Sequence, residues 1–110
     1  MRDDRERLLD VVEAIERIDR YAARGRAEFE ANELVQVWIV RHLEIIGEAV
    51  RGITPELQSR HPEVPWRQFA ALRNVLAHEY FDIDLDEVWA IIDTELPDFR
   101  ASVTAILGEL

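Results

Sequence analysis

Apolar residues at Leu8, Val11, Val12, Ile15, Ile18 and Ala22 recur every three or four positions. That period predicts an amphipathic helix over about residues 3–24, ending before Gly25. The stretch "ELVQVWIVRHLEIIGEAV" (33–50) is also helical in period but apolar over more than half its circumference, with Leu34, Trp38, Ile45 and Ala49 near one side and Val37, Ile39 and Val40 elsewhere. A helix of that girth is either the centre of its own bundle or partly covered by a second subunit. "GITPELQSRHPEVP" breaks the pattern: Thr54 as N-cap and Pro55 at the first helical position predict a short helix, and Pro62 and Pro65 forbid a long one. The spacing Trp66, Phe69, Ala70, Leu72, Leu76 predicts a helix running to about His78. Asp84 with Glu87 is a capping-box pattern that opens a helix through Leu85, Val88, Trp89 and Ile92. Pro97 is expected to end or kink it, and Phe99, Val103, Ile106, Leu107 and Leu110 form the last helix. No stretch alternates with period two, so the fold class is all-α, an up-and-down bundle of four to five helices.

Length and charge narrow the picture. A chain of 110 residues, 48% of them hydrophobic, is expected to form a single domain over residues 1–110. It has no long apolar run, and "MRDDRERLLD" is charged where a signal peptide is apolar, which predicts a cytoplasmic protein with no membrane contact. The absence of cysteine excludes disulfides, thiolate metal sites and cysteine nucleophiles. His42, His61 and His78 are widely spaced, without a metal-binding pairing, so no metal is expected. A net charge of −10 argues against sequence-blind binding to DNA or RNA. Its distribution is uneven: residues 1–50 carry 8 Arg against 12 acids, residues 51–80 carry 4 Arg against 3, and residues 81–110 carry 1 Arg against 8.

The one segment that is not acidic contains "RNVLAHEYF" (73–81), which places Arg73, Asn74, His78 and Tyr80 close together. Asn74 and His78 are four apart and share a helix face, whereas Arg73 and His78 diverge by about 140° on an ideal helix. Arg and His suit phosphodiester cleavage without a metal. Arginine binds the phosphate and stabilises developing charge, and histidine moves protons near neutral pH. With the ribose 2′-hydroxyl as internal nucleophile, RNA is cut and DNA is not. An Arg followed by His at this spacing arises roughly once by chance in such a composition, but the full string with Asn and Tyr has a chance expectation of roughly 10⁻⁴. A purely structural reading also fits these residues: Arg73 paired with a surface acid, His78 bonded at a helix end, Tyr80 as amphipathic packing.

"RNVLAHEYF" resembles the Arg-x4-His-x-Tyr signature of the HEPN superfamily, and in particular of its HepT toxins. "PWRQFAALRNVLAHEYFDIDLDEVWAIIDTELPDF" is similar to that family over its length, "IGEAV" (46–50) resembles its second-helix motif, and no motif position departs from the pattern. The resemblance implies a HEPN-like all-α homodimer. It also implies a metal-independent endoribonuclease toxin of a type VII toxin–antitoxin pair that acts on RNA and needs no cofactor. Its antitoxin partner is then a minimal nucleotidyltransferase, MntA, which transfers AMP from ATP onto the motif tyrosine. Carried over to this chain, Arg73 and His78 are catalytic, Asn74 supports the site and Tyr80 is the AMP acceptor, with Glu48 and Arg51 lining or buttressing it.

Two other readings stand beside this one. The first is a non-catalytic helical dimer that partners a nucleotidyltransferase and binds nucleotide or RNA without cutting it, and the second is a plain helical interaction domain. Trp38, Trp66 and Trp89 fall on apolar stripes and are expected in the core or an interface rather than as a base-stacking platform. His42 and His61 are expected to be ordinary polar residues. The acidic segment from Asp82 to Asp98 reads as a solvated helix face or a dock for a basic partner.

Overall fold

A computed structural model describes residues 2–78 and 84–110, and for residues 73–78 the backbone. Among the described residues seven α-helices follow one another: α1 (Asp4–Ala22), α2 (Arg26–Ala31), α3 (Glu33–Arg51), α4 (Pro55–Arg60), α5 (Trp66–His78), α6 (Leu85–Ala90) and α7 (Leu96–Glu109). A π-helical turn, Ile91–Glu95, joins α6 to α7. There is no strand among the described residues, and the all-α bundle that periodicity predicts, HEPN-like by the resemblance, is the fold.

Helix starts follow their capping residues. The side chain of Asp3 accepts from the Glu6 amide at 2.8 Å, Asn32 from Leu34 and Val35, and Thr54 from Leu57. Each bond satisfies an amide that the helix itself leaves unpaired. Asp84 caps α6 by accepting from the amides of Asp86 and Glu87 at 3.0 and 3.2 Å. The reciprocal bond from the Glu87 side chain, which would complete the capping box, does not occur among the described residues. The turn after α1 passes through Gly25 at φ 96°, where a side chain would be strained.

Pro97 neither ends the helix nor leaves a break. Having no N–H, it cannot bond the Asp93 carbonyl, and its ring would strike that carbonyl in a regular turn. The π turn widens the helix there, and the Leu96 amide reaches back to Ile91 O instead of Ile92 O. Helix α2 was not expected from periodicity, since "RAEFEA" has one large apolar residue. That residue, Phe29, is fully buried and packs on Trp89 with ring centroids 5.5 Å apart.

Helix α3 is the centre of the bundle and packs along both α1 and α5. It runs antiparallel to α1, because Trp38 Nε1 donates to Arg17 O at 2.9 Å near one end and Asp4 accepts from Thr54 beyond the other. Leu8, Val11, Ile15 and Ile18 of α1 meet Ile39, Leu43, Ile46 and Val50 of α3, all fully buried or nearly so. Each such side chain contributes about 2 kcal/mol of transfer free energy. Helix α3 also keeps apolar surface that the chain does not cover: Leu34 is 81% exposed and Val37 53%.

Candidate functional site

Helix α5 carries the Arg73, Asn74 and His78 positions, and its first half is clamped in place. Pro65 precedes it, Trp66 and Leu72 are buried, and Phe69 stacks on Phe99 of α7 at 3.9 Å with ring planes 10° apart. Trp66 adds an edge contact to Phe99, and its Nε1 donates to His61 O at 3.0 Å. With one face fixed inward, the rotation of the remaining turns is set. Arg73 and Asn74 fall in the second half of the helix, and His78 is its last residue. Tyr80 lies outside the described residues.

Glu48 and Arg51 are on the last turn and a half of α3, the helix that packs along α5, and both are exposed. A charged carboxylate and guanidinium there remain available to a ligand. Immediately beyond them is a residue that periodicity did not single out. The guanidinium of Arg7, on α1, lies over Gly52 so closely that it occupies the place a Cβ would take. The trace it left in the sequence is slight: a glycine directly after the helix end, in "VRGIT".

The remaining chemistry-bearing residues sort into structural roles. His42, expected to be an ordinary polar residue, is 5% exposed. Its Nδ1 donates to Trp38 O at 2.7 Å, and its ring lies 4.4 Å from the Trp38 ring. His61 sits half-buried between Glu63 and Glu109. Trp38, Trp66 and Trp89 are packed against the core, as their stripes indicated. A cavity of about 290 Å³ opens between α5 and α7 over Phe69 and Phe99, but Glu63, Glu95 and Asp98 line it, and three carboxylates repel a phosphate. No group of three His, Asp or Glu side chains able to hold a metal ion occurs among the described residues. None of the described helices is long and apolar enough to cross a membrane.

Comparison with known proteins decides the family. The family described as "Ribonuclease HepT-like" matches residues 11–106. The chain belongs to this HepT-like ribonuclease family. Within it, the chain is similar to "Probable ribonuclease HepT" of Thermococcus cleftensis, 35% identical over 90% of this chain and 91% of that one. It is 38% identical to "Putative RNase MJ1380" of Methanocaldococcus jannaschii over 72% of each. It is also 30% identical to "Gamma-glutamylcyclotransferase and putative RNase MJ0434" of the same organism over 91% of this chain, which spans 46% of that longer protein. No solved structure matches the chain. The match to the HepT-like family runs from α1 to α7 and so includes the whole of α5 and the string 73–81.

Proposed function

We propose that this chain is a metal-independent endoribonuclease toxin that cuts RNA with Arg73 and His78 and is silenced by adenylylation of Tyr80. The observation that carries the reading is the intact "RNVLAHEYF" string, whose first six residues end α5, in a member of a ribonuclease family. Arg73 binds the scissile phosphate and neutralises the charge that builds on its oxygens. The ribose 2′-oxygen attacks phosphorus, the bond to the 5′-oxygen breaks, and His78 transfers the protons between the two oxygens. The products are a 2′,3′-cyclic phosphate and a 5′-hydroxyl, and neither a metal nor a cofactor is needed. Asn74, one turn before His78 on the same face, orients the site, and Glu48 and Arg51 line it. Residues 1–110 act as one cytoplasmic domain, paired in a homodimer.

Control falls to Tyr80. An MntA-like nucleotidyltransferase supplies ATP and the base. The Tyr80 oxygen attacks the α-phosphorus, pyrophosphate leaves, and the phenolic proton passes to the partner. The new phosphodiester occupies the charge of Arg73, and the adenosine fills the cleft. Co-expression with the cognate nucleotidyltransferase followed by intact-mass and peptide analysis tests this half. Adenylate on Tyr80, lost in Tyr80→Phe while that variant still cuts RNA, supports it; no adenylate, or adenylate on Tyr21, contradicts it.

The net charge of −10 favours one alternative, a helical dimer that partners the nucleotidyltransferase and binds nucleotide or RNA without cutting it. RNA bound tightly and recovered uncut by the wild-type protein would establish it.

A further inference from the structure

Two of the described arginines are half-buried, Arg7 and Arg100. Arg100 has two carboxylates, Asp19 at 2.8 Å and Glu16 at 3.5 Å, which tie α7 to α1. Arg7 makes no ion pair or side-chain hydrogen bond among the described residues. Its natural partner on the helix, Asp4 three residues earlier, is turned away: one carboxylate oxygen accepts from the Thr54 amide at 2.9 Å and the other from the Thr54 hydroxyl at 2.6 Å. In a chain with 23 acidic residues and 13 basic ones, a guanidinium that has given up part of its hydration without gaining a carboxylate is an anomaly.

Its position explains the anomaly. The guanidinium lies over Gly52, where any side chain would collide with it. The residue before Gly52 is Arg51, exposed and also without an ion pair among the described residues. The nearby acids are mostly engaged, Asp3 by the Glu6 amide and Glu6 by Arg2, leaving exposed Glu48 as the opposing charge on α3. We infer that Arg7, which lies over Gly52, and Arg51, the residue before that glycine, form a subsite for a phosphate of the RNA strand other than the scissile one. This rests on the ribonuclease reading and adds to it a binding residue outside the motif. A guanidinium whose donors meet no acceptor among the described residues matches the non-bridging oxygens of a phosphodiester. Gly52 leaves the room that a flat guanidinium needs.

The glycine supplies an unusually clean test. Gly52 is in the right-handed helical region at φ −87°, so Gly52→Ala adds no backbone strain, and the nearest atoms it meets are those of the flexible end of Arg7. RNA binding is measured by anisotropy with a labelled single-stranded oligonucleotide and the dimeric or monomeric full chain carrying His78→Ala, so that the strand is not cut. Arg7→Gln is expected to weaken binding about tenfold and to lower the slope of log affinity against log salt by about one. Gly52→Ala should weaken binding in the same direction, and Arg7→Lys should recover part of the loss. RNA affinity and salt slope unchanged in Arg7→Gln and Gly52→Ala, with only the melting temperature lowered, overturn the inference and make Arg7 structural. Loss of ATP binding without loss of RNA binding also overturns it, in favour of a nucleotide site. If the His78→Ala chain binds no RNA at all, the ribonuclease reading itself falls, an outcome distinct from either.

Discussion

At the scale of single residues, the proposed chemistry divides between Arg73, which meets charge, and His78, which moves protons. Arg73→Ala and His78→Ala should each lower RNA cleavage by at least ~100-fold. Their helical circular-dichroism spectra should match that of the wild type, because the clamp on α5 is made earlier in the helix, by Trp66, Phe69 and Leu72. A loss of helicity that parallels the loss of activity would assign these residues to the fold instead. The motif residues were legible because four chemically distinct side chains coincide within eight positions. Arg7 was not, since a guanidinium at an amphipathic helix face looks the same whether it points to water or folds over a neighbouring glycine. His42 was illegible for a related reason: its bond to Trp38 O is an i,i−4 contact that any polar residue at that position could have pointed away from. Arg26 shows how side chains join elements without leaving a sequence pattern. It bonds Glu30 within α2 and Asp86 at the start of α6, and the Glu30 hydrogen bond, partly opposed by desolvation and aided by both carboxylates, raises its pKa.

At the scale of elements, capping and aromatic stacking determine where α5 and α6 lie. Phe69→Ala removes one partner of the stacked pair and a fully buried ring, and is expected to cost about 3–5 kcal/mol in urea unfolding. A cost under about 1 kcal/mol would mean that α5 is not held there. Asp84→Ala should cost about 1 kcal/mol, read from the same unfolding curves, through two lost amide bonds at the start of α6. The long helices were readable because a period of 3.6 is repeated several times in each. Helix α2 was not, since six residues with one buried phenylalanine contain no period. Pro97 misled for the opposite reason: a proline inside an apolar pattern normally marks a boundary, but a single π turn absorbs its missing N–H and lets α6 and α7 run on.

At the scale of the whole molecule, α3 resolves the alternatives its girth left open in an unexpected way. It is surrounded by α1 and α5 and still leaves Leu34 and Val37 in solvent. The proposed homodimer should sediment as a dimer at micromolar concentration, and a monomer would contradict it. An isologous pairing can set Arg73 of one subunit beside His78 of the other, which the ~140° divergence within one helix favours. Mixed dimers of Arg73→Ala with His78→Ala then regain part of the activity, whereas inert mixtures argue for sites completed within one chain. The measurement that bears most directly on the central claim is cleavage of total RNA by the purified wild-type protein in excess EDTA, beside the His78→Ala protein. The expected result is fragments ending in 2′,3′-cyclic phosphate from the wild type and intact RNA from the variant; uncut RNA from the wild type, or equal cleavage by both, would contradict the claim.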